Sequence, residues 1–271
     1  MISIIVPTIN SASHLGVFLD SLKSQTYKNF EVIINDDKRT SDSTDSVIAH
    51  YSNDFKIQHL HENISMAQGR KSGSEHAKGQ YQLHLDVDMV LSPNVLRSCL
   101  DEIKRCDAII IPEISFGIGF WAKVRAFERS FYIGDDTVES ARFFKSIVYN
   151  KVKGHNVDMV FSEDKDLDLR VRAAGFKISR IKEPIYHNEG ILRLSNDLKK
   201  KFFYGKTAHV FVSLNTRHAL RQANVLFRPA FFRQWKRLLK NPLLSISMFI
   251  LKFLEVIATL LGFIHAKILF K

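Results

Sequence analysis

Two closely spaced pairs of carboxylates hold most of the chemistry this chain can offer. Asp86 and Asp88 stand one residue apart in Asp86-Val87-Asp88, directly after Tyr81–Leu85, which reads as a buried strand. Carboxylates so placed can share one divalent cation. Oxygen ligands suit Mg²⁺ or Mn²⁺, and such ions commonly bridge nucleotide phosphates. The triplet alone is also that of many solvated loops; the preceding strand sets it apart. Asp36-Asp37 close a second apolar strand, Phe30–Asn35. One acid there can accept a hydrogen bond from a nucleobase, and the other can make an Asx turn or cap a helix leading out through Ser41–Thr44. Arg70 lies on the helix before the Asp86 strand, where its guanidinium can pair with a diphosphate or be solvated; Lys71 is a weaker candidate. Ser162-Glu163-Asp164 opens another helix. Ser162 is a natural N-cap there, and acids in a first turn suit the helix dipole. The functional reading makes Asp164 a general base toward an acceptor hydroxyl. His187 follows a short strand and can complete a metal shell or touch an acceptor, or be structural.

The elements that must position these groups alternate. Ile2–Val6, ending at Pro7, reads as a buried strand, and Ser11–Ser24 as a helix with Leu15, Phe18, Leu19 and Leu22 on one face. Helices are expected over Asp42–Tyr51, Ser65–Ala77 and Pro93–Arg105, and strands over Lys56–Leu60 and Ala108–Ile111. Such alternation over about 110 residues predicts an α/β fold, a mostly parallel sheet sandwiched by helices. Ligands of such sheets sit at the carboxyl ends of strands, where both acidic pairs fall. Pro112–Lys153 reads as acceptor-side loops and a helix. Ser162–Ala174 is a helix stopped by Gly175, and Ile178–Ile181 and Ile185–His187 are short strands.

From about Leu192 the pattern becomes helical and basic. The 271-residue chain carries a formal net charge of +11, and Lys199, Lys200, Lys201, Lys206, Arg217, Arg221 and the residues from Arg228 to Lys240 concentrate it ahead of a very apolar tail. Basic then apolar is the order of a membrane-surface segment, with a solvated basic helix as the plain alternative. Leu243–Ile264 is long enough to cross a bilayer of ~30 Å, but Lys252 and Glu255 in its middle are costly for a lone span. Ser245, Lys252, Glu255, Thr259 and Lys267 gather on one side of the helical wheel. That stripe favours a helix lying in the membrane interface, or packed on a partner, over a full span; a core helix is the other alternative. Hydrophobic residues at 45% and charged residues at 25% exclude disorder, and Cys99 and Cys106 imply no disulfide framework. The N-terminus lacks a charged region and a cleavage site, so the catalytic part is expected in the cytoplasm.

Four segments together resemble the family 2 inverting glycosyltransferases of the GT-A fold: S-I-I-V-P-T-I-N at the start, Q-T-Y-K-N-F-E-V-I-I-N-D-D, A-K-G-Q-Y-Q-L-H-L-D-V-D-M, and S-E-D-K-D-L-D-L-R-V-R-A-A-G-F-K-I. Their order and spacing match over roughly residues 1 to 190. The resemblance implies a Rossmann-like GT-A domain binding a nucleotide-sugar, with Pro7, Asp36 or Asp37, Arg70, Asp86 and His187 on the substrate side. It implies Asp88, with Asp86 and His187, as holders of Mn²⁺ or Mg²⁺, and Asp164 as catalytic base with Glu163 beside it. Lys38 stands where family members often have Gly, and the Q-x-x-R-W motif of processive synthases is absent, which favours transfer of a single sugar. The stretch F-F-Y-G-K-T-A from Phe202, with the tail after it, is similar to members that act on lipid-linked acceptors.

The expected organisation is a catalytic domain over 1–190, a basic helical segment over 191–241 and a membrane-associating helix over 242–271. The expected activity moves one sugar from a nucleoside-diphosphate-sugar to a polyprenyl phosphate or lipid-linked saccharide at the cytoplasmic face of the cell membrane. Two other readings compete. Nucleotidyl transfer predicts a Gly-rich basic loop that Pro7–His14 lacks, and an inactive membrane-bound scaffold predicts the loss of an acid. Aromatic and basic residues interleave near Phe231, as in a nucleic-acid surface, but the tail fits a bilayer better, so no nucleic-acid partner is expected. Neither the sugar, the nucleobase nor the oligomeric state follows from the sequence.

Overall fold

The structure, a computed structural model, describes residues 1–62, 65–216 and 228–269. It forms two compact units, one of Met1–Glu113, Ser140–Val157 and Glu163–His187, the other of Ile114–Glu139, Asp158–Ser162 and Asn188–Lys271. Arg217 and Arg221 of the basic run lie outside the described residues.

The first unit is built on strands β1 (Ile2–Thr8), β2 (Phe30–Asp37), β3 (Ile57–Glu62), β4 (Tyr81–His84), β5 (Met89–Leu91) and β6 (Ala108–Ile110), and helices α1 (Ala12–Lys23), α2 (Thr44–His50), α3 (Met66–Glu75) and α4 (Val95–Glu102). After β7 (Glu113–Ile118) and α5 (Phe120–Arg129), the chain returns with β8 (Phe143–Lys145), α6 (Ser146–Lys151), α7 (Glu163–Ala173), β9 (Ile178–Arg180) and β10 (Ile185–Ile191). A seven-stranded sheet has the order β3-β2-β1-β4-β8-β6-β9. β1 pairs in parallel with β2 and β4, while β8 runs antiparallel to both of its neighbours. Every residue of β1 and β2 is buried, as expected of strands covered on both faces. Their side chains join Leu15, Phe18, Leu19 and Leu22 of α1 in the main core.

From β1 the chain winds outward through β2 and β3, then returns to the other side of β1 as β4. The reversal makes a switch point between β1 and β4, where the carboxyl ends of strands open a crevice. Asp36, the last residue but one of β2, pairs with Thr8 of β1, and Asp86 lies two residues past β4. β4 ends at His84, one residue short of the expected strand, and Asp86 and Asp88 follow it in the turn leading to β5.

The second unit contains α5, α8 (Leu194–Leu214), α9 (Pro229–Arg233), α10 (Trp235–Lys240) and α11 (Pro242–Leu269). α8 and α11 meet backbone to backbone. A Cβ on Gly205 would lie 2.1 Å from the Thr259 carbonyl oxygen, and one on Gly262 would lie 2.0 Å from that of Phe202. Only glycine permits this approach. The polar stripe of α11 faces inward except at Lys267, which is exposed. Ser245, Lys252 and Glu255 are buried, while Leu243, Ile246, Ile250, Phe253, Leu260 and Ile264 are exposed. The helix is thus inverted relative to an ordinary amphipathic surface helix, whose apolar stripe faces the core. Its buried ions are satisfied inside the unit. Arg125 of α5 binds Glu128 at 3.0 Å and Asp197 at 2.9 Å and also pairs with Glu255; Lys252 bridges Glu128 at 2.6 Å and Glu255 at 2.8 Å; Lys201 lies 3.6 Å from Glu255. Three cations thus meet three carboxylates, which is the balance a buried cluster requires. Part of the basic run is structural too. Arg237 stacks on Phe131 and donates to the Ser130 hydroxyl at 2.6 Å, and Arg228 lies over Tyr132.

Candidate functional site

Apart from Ser162, every group described in this site belongs to the first unit. Asp36 is fully buried. Its Oδ1 accepts from the Thr8 hydroxyl at 2.7 Å and the Thr40 hydroxyl at 2.9 Å, while its Oδ2 is buried with no hydrogen-bond partner. Asp37 is occupied by the turn after β2: the Arg39 backbone N–H and Nε donate to its Oδ1 at 2.9 and 2.8 Å, and Arg39 Nη2 donates to Oδ2 at 2.5 Å. Of the two acids, Asp36 has the open oxygen. Pro7 sits beside them, paired in register with Asn35.

Arg70 is set by α3, whose start is a capping box: the Gln68 N–H donates to the Ser65 hydroxyl and the Ser65 N–H to the Gln68 side chain. This places Arg70 on the buried face of the helix. Its guanidinium gathers three carboxylates: it pairs with Asp86, donates to Glu163 at 2.7 Å and lies 3.7 Å from Asp164. A second cation that sequence reasoning missed, Arg142 before β8, donates to Glu113 at 2.7 Å and stands 3.7 Å from both Asp86 and Asp164. Nothing in the run S-A-R-F-F-K around it marks it in the sequence; only the antiparallel insertion of β8 beside β4 brings it here.

Glu163 and Asp164 begin α7, where acids favour the dipole. Ser162 was expected to cap this helix. It has φ 58°, outside the extended conformation of an N-cap. α7 is instead tied down along its length, by Lys165 and Arg172 each at 3.0 Å from buried Asp168 and by Arg170 at 2.7 Å from Asp166. His155, also missed, is buried and reaches Asp164 Oδ1 through Nε2 at 3.1 Å. A carboxylate can only accept, so Nε2 holds the proton and Nδ1 accepts from the Tyr149 hydroxyl at 2.9 Å. Burial holds this imidazole below its ordinary pKa despite Asp164, so it is neutral. The two acids are pushed apart. Burial and the neighbouring Asp164 charge raise Glu163. Burial would raise Asp164 as well, but Arg70, His155 and Arg142 hold it well below the usual carboxylate range. Adjacent acids split in this way commonly have different tasks.

Asp88 and His187 form the other half of the site. β10 runs antiparallel to β5 and puts His187 opposite Met89. His187 Nε2 lies 3.3 Å from Asp88 Oδ2, and its Nδ1 lies 3.4 Å from Glu113. Asp88 Oδ1 is buried without a hydrogen-bond partner. Burial opposes ionisation of Asp88, but the contact with His187 prevails and its pKa is lowered. An ionised carboxylate with one unmet oxygen beside an imidazole is a donor set that fits Mn²⁺ or Mg²⁺.

Residues 3–161 match the sequence profile of glycosyl transferase family 2, and the chain belongs to that family. It is 28% identical over 113 residues to the glycosyltransferase GlyG of Streptococcus pneumoniae, a match covering 41% of this chain and 38% of that protein. Among solved structures it is similar to the mannosyltransferase PcManGT of Pyrobaculum calidifontis in complex with GDP-Man and Mn²⁺, with TM-score 0.67 and 14% identity over 97% of this chain and 86% of that one. It is also similar to S. aureus TarS 1–349 in complex with UDP-GlcNAc, with TM-score 0.59 and 16% identity over 76% of this chain and 66% of that one. These likenesses bear out the GT-A fold expected from the sequence.

Proposed function

We propose that the chain transfers one sugar, with inversion, from a nucleoside-diphosphate-sugar to an acceptor at the cytoplasmic face of a membrane, aided by Mn²⁺ or Mg²⁺. The observation that carries this reading is the gathering of Asp86, Glu163 and Asp164 around Arg70 and Arg142 at the carboxyl ends of the sheet, with Asp88 and His187 beside them.

Asp36 Oδ2 accepts a hydrogen bond from the nucleobase, since its other oxygen is already used. Asp88 and His187, with Asp86 nearby, hold the divalent ion, which when bound offsets the charge of the diphosphate leaving group. Arg70 and Arg142 hold the acids in place and, with His155, keep Asp164 ionised. Asp164 has 27% of its side chain exposed, the most of the three acids around Arg70, and is the one an acceptor reaches. The acceptor oxygen forms a bond to the anomeric carbon as the bond to the diphosphate oxygen breaks, and Asp164 takes the acceptor proton. No covalent sugar intermediate is needed. Complexes of PcManGT with GDP-Man and of TarS with UDP-GlcNAc support a nucleotide-sugar donor. The outward apolar face of α11 supports a membrane-associated acceptor.

The test is a thermal-shift panel of UDP-, GDP- and dTDP-sugars with and without Mn²⁺, on wild type, Asp88→Ala and Asp36→Ala. A ligand at ~100 times its Kd adds about 2.7 kcal/mol to stability, or a few degrees. A metal-dependent rise with one nucleotide class, lost in Asp88→Ala and weakened in Asp36→Ala, is expected. No shift with any donor refutes an intact donor site.

A further inference from the structure

β3 is an edge strand of the main sheet, and it carries two imidazoles the proposed reaction does not use. His59 and His61 are two residues apart, so strand alternation puts both on one face. The parallel register with β2 pairs His61 with Asp36 and His59 with Ile34, so Asp36 stands on that same face, directly across from His61. The first turn of α2 adds Asp45, whose Oδ1 lies 3.7 Å from Nε2 of His59 and 3.7 Å from Nε2 of His61. One ligand atom from each of the four residues falls within 4.8 Å of the others. The two imidazole rings are 4.0 Å apart, centroid to centroid.

Two atoms in this group have unmet bonding capacity. Asp36 Oδ2 and His59 Nε2 are both buried with no hydrogen-bond partner, and Asp36 is a fully buried residue. An orphaned carboxylate oxygen and an orphaned imidazole nitrogen facing a second imidazole and a second carboxylate are both met by a single cation. We infer that His59, His61, Asp36 and Asp45 form a second divalent-cation site, separate from Asp88 and His187. Two nitrogens and two oxygens in a compact group suit a borderline ion such as Zn²⁺, in contrast to the harder preference of an all-oxygen site. A tetrahedral zinc site sets its ligand atoms about 3.3 Å apart. The residues that must move inward to reach that spacing are the exposed ones, with side chains 71% exposed at Asp45 and 46% exposed at His61. Asp36, fully buried, and His59, with its side chain 22% exposed, form the more fixed half of the site.

The site has a consequence that rests on the proposed function. A cation that takes Asp36 Oδ2 takes the oxygen assigned to the nucleobase, so zinc and donor compete.

The experiment is calorimetric titration of Zn²⁺ alone into the full chain in detergent, without donor, acceptor or turnover. One tight site is expected in wild type. It weakens by at least about tenfold in His61→Gln and in His59→Gln, a loss typical even of outer-shell partners, and it survives in His187→Gln. Wild-type zinc affinity in both β3 variants overturns the site, as does zinc binding that disappears only in His187→Gln. Because no donor is present, the result is independent of whether the glycosyl-transfer reading holds. In a second arm, Zn²⁺ raises the donor KM of wild type and has a smaller effect on His61→Gln. An equal effect on both overturns the competition while leaving the titration result to stand by itself.

Discussion

Replacing Glu255 with alanine tests the reading of α11 as an inverted helix held by buried charge. Glu255 contacts Arg125, Lys252 and Lys201, and three cations balance three carboxylates in the cluster. Without it, three cations face only Glu128 and Asp197. Breaking a buried ion pair by removing one partner costs about 3–5 kcal/mol, because a charge is left in a place water cannot reach. At roughly 3 °C per kcal/mol, the unfolding midpoint falls by about 10 °C or more. Both tryptophans of the chain, Trp121 and Trp235, lie in the second unit, so their fluorescence on heating reports this transition directly. The companion variant carries Lys252→Met together with Glu255→Met. It restores the balance, two cations against two carboxylates, at similar side-chain volume, and recovers more than half of the lost stability. A shift below about 3 °C for Glu255→Ala, or a double variant as unstable as the single one, refutes the cluster as the element holding α11.

Two further outcomes follow from the same geometry. Burial pushes Glu128 up, but Lys252 and Arg125 outweigh it and bring its pKa from 4.5 down to about 2. A depressed carboxyl contributes stability that is full above its unfolded value and lost as pH falls through its folded value. The stability gap between wild type and Glu128→Gln should therefore be constant near neutrality and close between about pH 4.5 and 2; an equal gap at pH 7 and pH 2.5 contradicts the pairing. Ile250 and Phe253 are 49% and 54% exposed on the outward face of α11. Burying such a side chain is worth about 1.5–3 kcal/mol, so changing both to serine should weaken co-sedimentation with anionic vesicles at least about tenfold. Unchanged sedimentation rules out this face as the lipid contact.

The elements legible in the sequence were those written in short-range signals. The apolar runs Ile2–Val6 and Phe30–Asn35 became β1 and β2, and the Ser65 box began α3 within a residue of its expected start. The acids of the candidate site were visible for a related reason: each lies at or just beyond the end of a strand or in the first turn of a helix, positions that local pattern marks. Arg142 and His155 were not visible. They come from the segment between the recognisable motifs, and they meet Asp164 only because β8 inserts antiparallel beside β4. The choice between Asp36 and Asp37 was likewise undecidable along the chain, since it depends on Thr8 and Thr40 taking one oxygen of Asp36 while Arg39 takes both of Asp37.

The tail divides in the same way. That it would be a long apolar helix with a polar stripe was set by residue spacing alone. Which way the stripe faces was decided by partners distant in sequence: Arg125 and Glu128 of α5, Asp197 and Lys201 of α8, and the glycine contact of Gly205 with Gly262. A helix pattern specifies only the angle between its apolar and polar faces. The direction in which each face points is fixed by where the opposite charges are buried, and that exists only once the chain has folded.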